Sequence, residues 1–121
     1  MKTRAAFALL ACCCALVARA DEEYPTFDDP RLQSGREVWL GTCAACHTSD
    51  FAGAPEVTDR EAWAPRLQQG MEVLYEHALK GLHGEKGTEM PPRGGNPSLS
   101  DEQVKSAVDY MVALVKKLAG E

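Results

Sequence analysis

Between Ser100 and Gly120 the apolar residues Val104, Ala107, Val108, Met111, Val115 and Leu118 recur at helical spacing and make one continuous face. The start of this helix is written into the chain: Ser100 is the expected N-cap, Gln103 the reciprocal capping-box residue, and Leu99 with Val104 a hydrophobic staple. Lys116 and Lys117 lie near the negative end of the helix dipole, and Gly120 ends the run. A second helix is predicted from Pro30, with Asp29 as N-cap, through Leu32, Gly35, Val38 and Trp39 toward Cys43. Gly35 inside it costs about 1 kcal/mol relative to Ala, which points to a close approach by another element, with Tyr110 the expected partner. Asp59 to Trp63 reads as a short helix. Met71 to Leu82 reads as a fuller one, with Leu74, Ala78 and Leu82 on one face and Gly81 and Gly84 as breakers. The glycine- and proline-rich stretch Gly84 to Ser98 reads as a loop, so the expected class is all-α with about four helices.

The organisation follows from the ends. Residues 1–20 read as a secretory signal peptide, with Lys2 and Arg4 before the apolar run Ala5 to Ala18, and Ala18-Arg19-Ala20 as the cleavage site. The run is too short to span a bilayer, which takes about 20 apolar residues. An alternative is a lipoprotein box at Leu9-Leu10-Ala11-Cys12, which would tether the mature chain through a lipid on Cys12. Residues 21–29 form an acidic, loose extension, and 30–121 form one domain. Without the leader, ten basic residues face eighteen acidic ones, a formal charge of about −8. That balance argues against nucleic acid as a partner and for a soluble surface, while the leader implies export to the periplasm.

The chemistry centres on Cys43-Ala44-Ala45-Cys46-His47. C-x-x-C-H is the attachment signature of a c-type haem: two thiols add to the porphyrin vinyl groups, and the adjacent imidazole is placed to bind iron. Three other readings compete. A zinc site would need a second ligand pair, and His77 and His83 lie about twice too far downstream for the usual finger spacing. A thioredoxin-like dithiol would sit near a βαβ unit, and the surroundings here are helical. A disulfide would leave His47 without a role. Cys12, Cys13 and Cys14 fall in the leader, so the mature chain keeps only Cys43 and Cys46. A domain of about 100 residues has a modest core, and a haem would supply apolar volume to it.

His47 on one side of an iron leaves the other side to a second ligand or to an open position. The candidates are Met71, Met90, Met111, His77 and His83. Met71 and Met111 occupy helical positions and are most simply core packing. Met90 precedes Pro91-Pro92 in the long loop, where a stiff backbone can hold a thioether over the ring.

Taken together, Gly35-Arg36-Glu37-Val38-Trp39, Cys43 to His47, Gly53-Ala54-Pro55, Ala62-Trp63-Ala64-Pro65-Arg66 and Met90-Pro91-Pro92-Arg93-Gly94-Gly95 resemble the class I c-type cytochromes. Within them, the short bacterial cytochrome c5 group is the nearest in pattern. The resemblance implies four helices around one covalent haem c. It implies Cys43 and Cys46 as thioether donors, His47 and Met90 as axial iron ligands, and Pro55 as the carbonyl that orients His47. Gly35 and Trp39 match the positions that cross the last helix near Tyr110, and Trp63 and Arg66, with Arg93 a further candidate, match support of the haem pocket. One departure is clear: several members of the group carry two cysteines where this chain has Asn96 and Leu99. The implied function is a low-spin His/Met electron carrier, not an enzyme, serving a bacterial respiratory chain. Its redox partners would be a reductase complex and a terminal oxidase or other acceptor. A haem enzyme with an open sixth position, and a subunit docked permanently in a larger complex, are the competing classes.

Overall fold

In the computed structural model, which describes residues 23–121, the first helical segment starts at Asp29. The Asp29 carboxylate accepts from the Arg31 amide at 2.8 Å, and Pro30, lacking an N–H, takes the first helical position. Helix α1 (Pro30–Val38) runs without a break into a π-helical turn (Trp39–Cys43) and on into α2 (Ala44–His47). In that turn the Ala44 amide donates to the Trp39 carbonyl, so one extra residue is wound into the helix just before the cysteine pair. The motif therefore closes this helix as expected, through a turn that the residue pattern does not announce.

At the other end of the chain, α5 begins with the predicted capping box. The Ser100 hydroxyl accepts from the Gln103 amide at 3.2 Å, and Gln103 Oε1 accepts from the Ser100 amide at 2.9 Å. This last helix, α5, spans Asp101–Leu118 and crosses α1 at Gly35. A Cβ at Gly35 would lie 2.0 Å from the Ser106 carbonyl oxygen, so the glycine is required by backbone contact. The partner is the Ser106–Ala107 backbone and not Tyr110, as the sequence suggested. Tyr110 lies one turn further on and packs against Trp39, ring centroids 5.6 Å apart. Trp39, Tyr110 and Leu114 have no exposed surface.

The acidic extension is not loose over its described part. Tyr24 packs at a tilt against Trp39, centroids 5.2 Å apart, and Phe27 meets Tyr110 edge-on at 5.8 Å. The Tyr110 hydroxyl donates to the Pro25 carbonyl at 3.1 Å, and Arg36 Nε donates to the Tyr24 carbonyl at 2.7 Å. Residues 24–28 thus form a strap over the α1–α5 crossing. The leader, Cys12 and Asp21 lie outside the described residues.

Helix α3 (Arg60–Gln68) is longer than the expected Asp59–Trp63 segment and continues past Pro65, which lies inside it. Helix α4 (Met71–Lys80) stops two residues before Leu82, at Gly81 with φ 82°. What was expected to be plain loop then forms a small antiparallel hairpin. Strand β1 (Leu82–His83) pairs with β2 (Glu89–Met90), Leu82 opposite Met90 and His83 opposite Glu89. A further turn, Pro92–Gly95, leads back to α5. The class is all-α apart from this hairpin.

Two apolar clusters result. One gathers Trp39, Val57, Trp63, Tyr110, Met111 and Leu114, and the other Ala78, Val104, Val108 and Val112, with Met71, Leu74 and Leu99 against it. The last helix contributes to both, and the space between them holds the site. Among the described residues no helix is long and apolar enough to cross a membrane.

Candidate haem site

The two clusters leave a narrow cleft whose walls include Cys43, His47, Met90, Val104, Val108 and Met111. Its lining is almost wholly apolar. The residues that the sequence singled out as Cys43, His47 and Met90 are thus brought to one cavity, while Cys46 lies in the same short helix α2, half-buried. Neither cysteine is in a disulfide. Burial, and then the nearby Cys46, push the Cys43 thiol up to about 11, so it is a neutral thiol at neutral pH.

His47 is held by two hydrogen bonds from the loop Pro55–Val57 and by the Trp63 ring. Its Nδ1 lies 2.9 Å from the Pro55 carbonyl oxygen, which accepts only if Nδ1 carries the proton. The lone pair then resides on Nε2, the nitrogen free to ligate. The Val57 amide donates to the His47 carbonyl at 2.9 Å, and Trp63 Nε1 donates to the Glu56 carbonyl at 2.8 Å. The Trp63 ring also packs against the imidazole, centroids 6.0 Å apart. Burial lowers the His47 pKa, the Pro55 bond opposes this, and the nearby Arg66 charge lowers it further. The imidazole is therefore neutral, as an iron ligand must be.

Met90 reaches the cleft from β2 and is half-buried. Its backbone is placed by the pairing with Leu82 and by Gly81, where a Cβ would come within 2.8 Å of the Met90 carbonyl oxygen. After it, Arg93 adopts φ 55° and ties the loop to α5, donating to the Leu99 carbonyl at 3.0 Å and to Asp101 at 2.6 Å. Met71 packs against the second apolar cluster. Met111 belongs to the first cluster and also contributes to the cleft wall. His83 is exposed on the hairpin, 3.8 Å from Glu89.

The supporting residues divide. Trp63 holds the histidine loop. Arg66 donates through Nη1 to the Ala62 carbonyl and lines a second, more open cleft with Pro55 and Glu56. Sequence reasoning missed the roles of Val57, whose amide bonds the His47 carbonyl, and of Gly81. The left-handed φ of Gly81 was signalled only by its being a glycine after a helix.

The donor set fits a haem c. The Cys43 thiol, a neutral imidazole with one nitrogen already committed and a thioether line one apolar cleft, with the second thiol, Cys46, on the adjoining helix, which is a set for a soft, low-polarity iron site.

Comparisons agree with this geometry. Residues 30–111 match the family described as cytochrome c oxidase, cbb3-type, subunit III. Cytochrome c-555 of Chlorobaculum thiosulfatiphilum is 46% identical over 83 residues, covering 69% of this chain and 95% of that protein. Cytochrome c5 of Azotobacter vinelandii is 34% identical over 84 residues, covering 68% and 95%. Among solved structures, a chain from the electron transfer complex of nitrite reductase with cytochrome c superposes with a TM-score of 0.60 at 38% identity. It covers 72% of this chain and 96% of that one. The fold, the cavity and these relatives together place the chain in the class I c-type cytochromes, proteins that transfer electrons through a covalently bound haem c.

Proposed function

We propose that this protein is an exported carrier of single electrons whose haem is attached through Cys43 and Cys46 and whose iron is ligated by His47 and Met90. The observation that carries the reading is the pairing of two pre-set donors in one apolar cleft: His47, with Nδ1 committed to Pro55, and Met90, fixed by the hairpin and Gly81. Bound haem c supplies an iron that cycles between two oxidation states one electron apart. The Pro55 carbonyl keeps the imidazole oriented and raises its basicity. Met90 is a weaker donor than imidazole or thiolate and favours the reduced state, so the potential is positive. The apolar walls exclude water, and with His47 and Met90 both serving as ligands the site would offer no place for oxygen or peroxide chemistry. Trp63 holds the histidine loop in place, and Arg66, beside the second cleft, adds pocket support.

The leader Met1–Ala20 directs the chain to the periplasm, and 24–121 is the working unit. The complex of a related cytochrome c with nitrite reductase supports a redox enzyme as one partner, with a reductase complex as donor and an oxidase or other acceptor beyond it.

Optical spectra of the oxidised and reduced protein from a host with haem c maturation test the proposal. The expected result is covalent haem with the weak far-red band of iron-bound sulfur. In Met90→Ala the band is lost, the potential falls and carbon monoxide binds the reduced protein. Unchanged potential in Met90→Ala would refute the ligand assignment.

A further inference from the structure

Phe51 stands out against the rest of the surface. It is 66% exposed, the most exposed of the large apolar side chains among the described residues. It sits four residues after His47 at the head of a short turn (Phe51–Gly53) whose backbone is unusual. Asp50 and Ala52, on either side of it, both adopt left-handed φ, 50° and 54°. That conformation costs about 1–2 kcal/mol for a residue such as Ala, and here it accompanies an aromatic ring left in water.

The turn packs against β2, the strand that carries Met90, and a Cβ at Gly53 would meet the Thr88 methyl at 2.3 Å. Phe51 therefore lies between the two segments that bear the proposed iron ligands. The charges around it are mostly of one sign. Asp50, Glu56 and Asp59 line the open cleft beside the turn, opposed there by Arg66, and Glu89 lies next to Met90 on the hairpin, near His83. The adjacent lysines Lys116 and Lys117 lie elsewhere, at the end of α5, where Lys117 covers Phe27 of the strap.

We propose that Phe51 is the apolar anchor of a docking face for a redox partner with a cationic rim around an apolar centre, with Asp50, Glu56 and Glu89 supplying the complementary charge. This rests on the electron-carrier reading above and adds the chemistry of the partner. An exposed aromatic at the centre with opposite charges at the rim is the arrangement that gives both specificity and fast encounter. The face is built from the turn that follows His47 and the hairpin that carries Met90.

The test uses the haem-loaded protein and two outer-sphere oxidants of opposite charge: tris(1,10-phenanthroline)cobalt(III), an apolar trication, and ferricyanide, a trianion. Second-order rate constants are measured by stopped flow for the wild type, Phe51→Ala and the triple variant Asp50→Asn, Glu56→Gln, Glu89→Gln. The reduction potential of each is measured in parallel, and rates are compared after correction for it. The expected result is a cobalt rate about threefold lower in Phe51→Ala and about tenfold lower, with a weaker salt dependence, in the triple variant. Ferricyanide should be unaffected by the first and faster with the second. Lys116→Gln with Lys117→Gln should change neither rate. Cobalt rates that match the wild type in both variants would overturn the proposal, and so would a wild type that reacts faster with ferricyanide at low salt, which would assign the face to an anionic partner. Dimerisation lost in Phe51→Ala would also overturn it, by giving the face to a second copy. These rates read the surface whichever axial ligand is present, whereas the far-red band of the wild type reads Met90, so the two readings fail separately.

Discussion

Substituting Gly35 by Ala tests the packing on which the site depends. The added Cβ would lie 2.0 Å from the Ser106 carbonyl oxygen and 2.5 Å from its carbon, both backbone atoms of α5. Ordinary contact begins at 3.4 Å, so α1 and α5 must separate by about 1.4 Å at the crossing. A gap of about 0.5–1 Å already forfeits a quarter to a half of the dispersion energy of each contact it opens. Here the contacts are those of Trp39, Tyr110 and Leu114, all fully buried. Overpacking and loosening of this kind cost about 3–4 kcal/mol, from which the better helix propensity of Ala takes back about 1 kcal/mol. The expected net loss of about 2–3 kcal/mol lowers the melting temperature by roughly 10–20 °C for a domain of this size. Gly41 supplies the control, because a Cβ there meets nothing within 4 Å. Gly41→Ala should be neutral or stabilising by up to about 1 kcal/mol. Thermal melts of the two haem-loaded variants, followed in the far-ultraviolet and at the haem band, provide the readout. A Gly35→Ala protein as stable as the wild type would refute the close-crossing argument.

Three further outcomes follow from the geometry. Trp63→Phe removes the donor to the Glu56 carbonyl and should cost about 1–2 kcal/mol in chemical denaturation, with the potential shifting because the His47 loop is less constrained. Ala52→Gly relieves a left-handed residue and should stabilise by about 0.5–1 kcal/mol after the entropy of glycine is counted, which a urea titration resolves. Burial and the hydrogen bond to Asp109 raise the Tyr75 pKa above its ordinary 10.0. Its contribution to stability is therefore whole below pH 10 and is lost as pH rises through the folded-state value, so the denaturation midpoint should fall with pH in that range and fall less in Tyr75→Phe.

Local chemistry carried much of this structure. The capping box at Ser100 and Gln103 and the Asp29–Pro30 helix start are each decided by residues within a few positions of one another, and each forms as its sequence indicates. Met90 was distinguishable from Met71 and Met111 because those two fall on helical positions. The hairpin was not legible: strands of two residues are too short to show alternation, and their pairing depends on Gly81 turning the chain. The strap was missed because Tyr24 and Phe27 gain their role only from Trp39 and Tyr110, which are distant in sequence. Gly35 announced a close approach but could not say to what, since a missing side chain carries no trace of its neighbour. The expected Asp59–Trp63 segment fell short of α3, which continues through Pro65 to Gln68.

The central claim, that Met90 is the sulfur ligand opposite His47, is tested most directly by nuclear magnetic resonance of the reduced protein labelled with ¹³C at its methionine methyls. One methyl should be displaced far upfield by the haem ring current, and that signal should be absent from Met90→Ala while persisting in Met71→Leu and Met111→Leu. A displaced methyl that survives in Met90→Ala, or no displaced methyl at all, would contradict the account.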